Sequence, residues 1–221
     1  LSRLVIAIDG PAGSGKSTVA KEVARRLGLS FLDTGAMYRC IALLAQQNGL
    51  GPSDGDEAAK LGEAARISFD QGDPQRVFLN GEDVTQAIRE PEIGNLASAL
   101  SAHSSVRRLL VRQQREIVAR GGVTLEGRDV TTVVAPDADI RIFMTAGVEE
   151  RTRRRFQELK ARGISVDFEE LKKQIEERDQ RDSTRQDSPL RIGEGVTVID
   201  TDGMTVEEAV SKVLSLAESH A

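Results

Sequence analysis

Cysteine is almost missing from this chain. A single residue, Cys40, cannot form an internal disulfide. It falls in a helical stretch beside Ile41 and Leu44 and reads as buried filler, not as a nucleophile. Histidine is nearly as scarce, with only His103 and His220. His103 sits in Ser-Ala-His-Ser-Ser, which suits a surface or capping residue, and His220 belongs to the C-terminal tail. No Cys/His metal constellation follows from these positions. No run approaches the ~18 apolar residues that a membrane helix needs. Positive charge is not in excess either. A net charge of −5 argues against global attraction to nucleic acid or to an anionic membrane. No signal-peptide pattern leads into the first strand. The expectation is a cytoplasmic protein with no nucleic-acid polymer and no membrane as partner. There is no internal repeat and no long low-complexity linker. At 221 residues, 39% hydrophobic and 29% charged, the chain is one large domain, or one domain with an insert, able to bury a real core.

What is present is concentrated near the N-terminus. Residues 10–17 read Gly10-Pro11-Ala12-Gly13-Ser14-Gly15-Lys16-Ser17, the full pattern G-x-x-x-x-G-K-S. The apolar, β-branched run Leu4–Asp9 before it suits a buried parallel strand. After it, Val19, Val23 and Leu27 recur at helical spacing. Strand, glycine loop and helix therefore follow in the order that phosphate binding requires. The glycines let successive N–H groups turn inward, and the helix N-terminus favours an anion. Lys16 supplies a mobile positive charge to the β and γ phosphates, and Ser17 can ligate Mg²⁺. The motif implies a bound nucleoside triphosphate or something phosphorylated much like one.

Further along, the pattern alternates. A short strand Ser30–Leu32 ends at Asp33-Thr34-Gly35, and helices are expected near 36–47 and 57–65. Short strands near 66–69, 75–79 and 82–84, with the hairpin signal Asn80-Gly81, predict an antiparallel meander. Helices near 91–101 and 105–120 follow. Strands at 123–125, 139–144 and 196–200 then alternate with helices near 148–162, 168–181 and 206–218. Such alternation implies a parallel sheet, with ligands collected at the carboxyl ends of its strands. The glycine loop, Asp33-Thr34-Gly35 and Glu126-Gly127-Arg128-Asp129 all fall at such ends.

Phosphoryl transfer is mostly positioning and charge neutralisation, so cations beyond Lys16 are expected. Arg39, Arg107, Arg108, Arg128, the run Arg151 to Arg155, and Arg178, Arg181 and Arg185 all lie at loop or helix-end positions. Arg151 and Arg155 share a helix face with no acid between them, and are expected to repel unless an anion visits. No general base is evident. None is required where the acceptor is a phosphate oxygen already anionic at neutral pH.

The blocks Ile8–Thr18, Leu32–Arg39, Glu126–Val130, Thr132–Ala138 and Arg178–Arg185 together resemble the bacterial cytidylate kinases. The resemblance runs in order along nearly the whole chain. It implies a P-loop NTPase fold of class α/β, three-layered α/β/α with a central parallel sheet. Residues 1–33 and 102–221 would form the core, with a short lid at about 148–165. Residues 34–101 would form the nucleoside-monophosphate-binding region, with the meander at about 66–84 as an antiparallel insert. The implied reaction is ATP-dependent phosphorylation of CMP and dCMP, with UMP poorer, by a monomer. Gly10, Pro11, Ala12, Gly13, Ser14, Gly15, Lys16, Ser17 and Thr18 would bind ATP, with Ser17 on its Mg²⁺. Thr34, Arg39, Ser98, Arg107, Arg128, Asp129, Arg178 and Asp182 would hold CMP. Arg151 and Arg155 would belong to the lid, and Arg185 would approach the transferred phosphoryl. Glu126 stands where an aspartate is often found, and Thr34 where serine also occurs; neither departure changes the chemistry available. Two other readings remain open at this point. One is another small-acceptor P-loop kinase of adenylate, shikimate or gluconate type. The other is a nucleotide switch, although no Asn-Lys-x-Asp follows a strand.

Overall fold

In the computed structural model, which describes residues 3–219, the strand ahead of the glycine loop is β1 (Val5–Asp9). It lies at the centre of a five-stranded sheet. The other strands are β2 (Ser30–Asp33), β6 (Val123–Gly127), β7 (Ile140–Thr145) and β8 (Thr197–Asp200), in the order β2-β6-β1-β7-β8. The β1–β6, β1–β7 and β7–β8 pairs are parallel. Ile6, Ala7 and Ile8 are all fully buried, as expected for a strand covered on both faces. Helix α1 (Lys16–Leu27) sets Val19, Ala20 and Val23 against Ile6, Ile8, Ile142 and Met144. Helix α8 (Val206–Glu218) completes that layer with Ala209, Val210 and Val213.

The chain divides into two compact units, one running up to Leu32 and from Arg120 on, the other Asp33–Ala119. The second unit holds helices α2 (Thr34–Gln47), α3 (Gly55–Ala64), α4 (Pro91–Leu100) and α5 (Ser104–Val118). It also holds an antiparallel sheet β3 (Ile67–Phe69), β4 (Val77–Leu79) and β5 (Glu82–Asp83). The expected hairpin forms at Asn80-Gly81, both at positive φ (53° and 88°), the combination a type I′ turn demands. Helix α5 packs on α3, and its Val106, Leu109 and Leu110 are buried. The division therefore falls after Ala119, whereas the sequence reading began the return to the core at residue 102. His103 is the residue before the first turn of α5, and its Nε2 lies 2.8 Å from the carbonyl oxygen of Pro52. His220 lies outside the described residues. Cys40 is fully buried, and burial pushes its thiol up to about 12.

The remaining helices of the first unit are α6 (Val148–Ala161) and α7 (Phe168–Thr184). They join through Leu159, Leu171 and Ile175, with Phe156 packed edge-on against Phe168 at 5.7 Å. No helix among the described residues is long and apolar enough to cross a membrane.

One element had no counterpart in the sequence reading. Residues Val130–Val134 form a single π-type turn directly after Asp129. Asp9, at the end of β1, accepts hydrogen bonds from Val130 N and Thr131 N (both 2.8 Å) and from Thr131 Oγ (2.6 Å). Burial dominates its titration. Against the Thr131 and Val130 donors, and helped by nearby Asp129, it raises Asp9 from an ordinary 3.8 to about 6. The folded chain thus binds this proton more tightly than the unfolded chain does. The contribution of Asp9 to stability is complete below pH about 3.8 and is lost as pH rises through about 6. We expect the unfolding free energy, compared with that of non-titrating Asp9→Asn, to fall by about 3 kcal/mol between pH ~4 and ~7. Urea denaturation at several pH values measures it, and a flat difference would contradict the buried carboxylate.

Candidate active site

The glycine loop is shaped by close approach. A Cβ on Gly10 would lie 2.1 Å from the carbonyl oxygen of Met144 on β7, and one on Gly13 would lie 2.9 Å from Arg151 Cβ. Gly13 and Gly15 take φ of 79° and 85°, which non-glycine residues rarely adopt. Lys16 is buried at 5% exposure, and its Nζ donates to Pro11 O at 3.1 Å. Ser17 and Thr18 are exposed at the head of α1. Two other contacts brace the loop. Arg151 Nη1 donates to Ala12 O at 3.2 Å, and Thr201 Oγ lies 3.2 Å from Ser14 O. Arg154 in turn holds Thr201 through its hydroxyl and its carbonyl oxygen.

Glu126, the penultimate residue of β6, reaches this loop from the neighbouring strand. Its Oε1 accepts from Ser17 Oγ at 2.8 Å, and its Oε2 lies 3.8 Å from Lys16 Nζ. A hydroxyl and a carboxylate oxygen thus converge beside the lysine, a hard-oxygen donor pair suited to Mg²⁺. Among the described residues no group of three or more His, Cys, Asp or Glu could hold a metal ion.

Two residues beyond Glu126, Arg128 opens a charged cluster. Its Nε donates to Asp182 Oδ2 at 3.1 Å. Arg178 Nε and Arg185 Nη1 lie 3.9 and 3.8 Å from the same carboxylate, and Arg185 Nη2 lies 3.9 Å from Asp129 Oδ1. Burial works against the Asp182 charge, but the guanidiniums of Arg128, Arg178 and Arg185 outweigh it and hold the carboxyl below its usual range. The sequence-predicted Arg128, Asp129, Arg178, Asp182 and Arg185 are therefore one cluster in which three cations face two acids. Helix α7 runs to Thr184, past the expected Arg181, and so carries Asp182 on its last turn.

The lid arginines differ from expectation. Arg151 and Arg155 each have a carboxylate: Arg151 Nη1 meets Asp179 Oδ2 at 2.6 Å, and Arg155 Nη1 meets Glu158 Oε1 at 2.7 Å. The partner of Arg151 comes from α7 and is not visible in α6 alone, whereas that of Arg155, Glu158, lies on α6 itself one turn further on. Burial outweighs Arg151 and raises the Asp179 carboxyl.

In the second unit, Thr34 is the first residue of α2, behind Asp33, whose carboxylate caps the helix through Ala36 N at 2.9 Å. Arg107 is 3% exposed, donates to Ser101 O at 3.2 Å and stacks over the Tyr38 ring at 5.6 Å. Ser98 is buried on α4, and Arg39 is half-buried on α2. Asp9, Tyr38, Asp179 and Thr201 carry no role in the sequence pattern, and Arg154, expected in the lid, instead holds Thr201. Asp9, Tyr38 and Asp179 lie inside the family-like stretches Ile8–Thr18, Leu32–Arg39 and Arg178–Arg185; Thr201 lies in none of them.

The profile of the cytidylate kinase family matches residues 6–219. The cytidylate kinase of Listeria welshimeri is 46% identical over 216 residues, covering 98% of this chain and 96% of that protein. That of Enterococcus faecalis is 48% identical over 214 residues, covering 96% and 95%. A solved shikimate kinase from Bacteroides thetaiotaomicron is similar in fold, with a TM-score of 0.50 at 13% identity over 97% of this chain and 98% of that one. At that identity it bears on the fold alone, an α/β P-loop kinase architecture. With a family match across almost its whole length and relatives nearly half identical, this chain belongs to the cytidylate kinase family.

Proposed function

We propose that this chain transfers the γ-phosphoryl group of ATP to CMP and dCMP, giving ADP and the nucleoside diphosphate, with UMP a poorer acceptor. The observation that carries the reading is a continuous run of chemistry in one unit. Lys16 and Ser17 of the phosphate loop touch Glu126, and two residues on Arg128 enters a cluster of three arginines. Phosphoryl transfer asks for this combination of a phosphate cradle and fixed cations.

In this reading the amides of Gly10 to Thr18 and Lys16 bind the nucleotide phosphates. Ser17, with Glu126 through a bound water, would hold Mg²⁺, which would supply charge neutralisation to the nucleotide phosphates. Arg39, Arg107 and Arg128 grip the acceptor phosphate as planar donors. Thr34, Ser98, Asp129, Arg178 and Asp182 bind nearer the sugar and base. A carboxylate can accept from the exocyclic amine of cytosine, which uracil replaces with an oxygen. Residues 148–165 act as the lid, where Arg151 and Arg155 exchange their carboxylates for phosphate, and Arg185 approaches the transferred group. A closed lid excludes water and so favours transfer over hydrolysis. The enzyme acts as a monomer in the cytoplasm.

ADP release from Mg·ATP with CMP, dCMP, UMP, AMP, GMP or shikimate, each supplied singly, tests the reading. Turnover with CMP and dCMP far above the rest is expected; turnover led by AMP or shikimate would overturn it. Lys16→Ala is expected to abolish transfer. Arg128→Ala should lower kcat/KM for CMP about 100-fold, and a loss under about threefold would remove Arg128 from the acceptor site. Asp182→Asn should erase the preference for cytidine over uridine acceptors. It should also cost about 3 kcal/mol of stability by removing the carboxylate that Arg128, Arg178 and Arg185 share, which denaturant titration measures.

A further inference from the structure

We propose that Asp9 is a positioning residue for the acceptor half of the reaction: its carboxylate caps the turn Val130–Val134 and so fixes where Arg128 and Asp129 stand. This rests on the reading that those two residues hold the acceptor nucleotide. A single π-type turn is a poor structure by itself, and its first amides have no partner within it. Asp9 supplies that partner from another strand, 121 residues earlier in the chain, with bonds to Val130 N, Thr131 N and Thr131 Oγ. Asp9 and Thr131 are fully buried, so water cannot substitute. Further into the turn, Asp129 O accepts from Val133 N at 2.8 Å, and Val130 O from Ala135 N at 2.8 Å.

The consequence falls on three residues. Gly127 is paired in register with Asp9 across the β1–β6 ladder, and Val130 is bonded to the side chain of Asp9. The corner Gly127-Arg128-Asp129 is thus held at both ends by one residue of β1. The nucleotide loop does not depend on this cap. It has its own braces from Arg151 to Ala12 O, from Thr201 to Ser14 O and from Lys16 to Pro11 O. Loss of the Asp9 carboxylate should therefore disturb the acceptor side and spare ATP.

The test is Asp9→Asn, whose amide nitrogen must face a donor already in place, together with the milder Thr131→Val, which removes one of the three bonds. We expect KM for CMP to rise at least tenfold in Asp9→Asn and about threefold in Thr131→Val. The Kd for ATP, measured by calorimetry without acceptor, should stay within threefold of the unsubstituted chain. Hydrogen exchange should quicken at the amides of Val130 and Thr131 but not at Val19 in α1. Equal losses for CMP and ATP would make Asp9 a general structural residue and overturn the proposal, as would an unchanged KM for CMP. If Asp9→Asn does not fold, Thr131→Val decides by the same split. If the unsubstituted chain does not use CMP, the functional reading fails, and the exchange comparison, which needs no substrate, still decides whether the carboxylate holds the turn.

Discussion

The central place of β1 is the constraint from which the rest of the nucleotide-binding unit follows. Because β1 is flanked in parallel by β6 and β7, its carboxyl end lies beside theirs. Gly10 must then pass against the Met144 carbonyl, which leaves no space for a side chain. Glu126, from the adjacent strand end, must meet Lys16 and Ser17. A parallel sheet gathers ligand chemistry at one edge because every strand delivers its following loop there. The phosphate loop and the arginine-bearing corner are neighbours for that reason, although more than a hundred residues separate them in the chain.

Charge is arranged around that edge in two ways. Arg128, Arg178 and Arg185 gather around Asp182, with Asp129 beside Arg185. Arg151 is paired one to one with Asp179 and is bonded also to Ala146 O and Ala12 O. The second arrangement braces the loop. Helix α7 carries both carboxylates, Asp179 and Asp182, three residues apart and so on neighbouring positions of one helix face. One helix therefore touches both the cation that braces the nucleotide loop and the cations read as the acceptor grip.

Local patterns were legible where one interaction dominated. The Asn80-Gly81 hairpin follows from two positive φ angles that few other pairs accept. The helix Val206–Glu218 follows from its apolar period, and the phosphate loop from a motif whose residue types are each dictated by geometry. The π-type turn at Val130–Val134 was not legible, since nothing in Val-Thr-Thr-Val-Val specifies it and its stabilising carboxylate lies on another strand. The membership of α5 in the second unit was also hidden, because its apolar stripe says that it packs but not on what.

The sequence by itself determined the phosphate loop, the alternation of strands and helices and the small antiparallel insert. Each rests on chemistry within a few neighbouring residues. The tertiary structure alone decided which carboxylate meets which arginine. It alone showed that Arg151 is paired with Asp179, that Asp182 gathers three cations, and that Asp9 holds the turn behind Arg128. Such pairings depend on which strands and helices lie side by side, and packing of the whole core sets that.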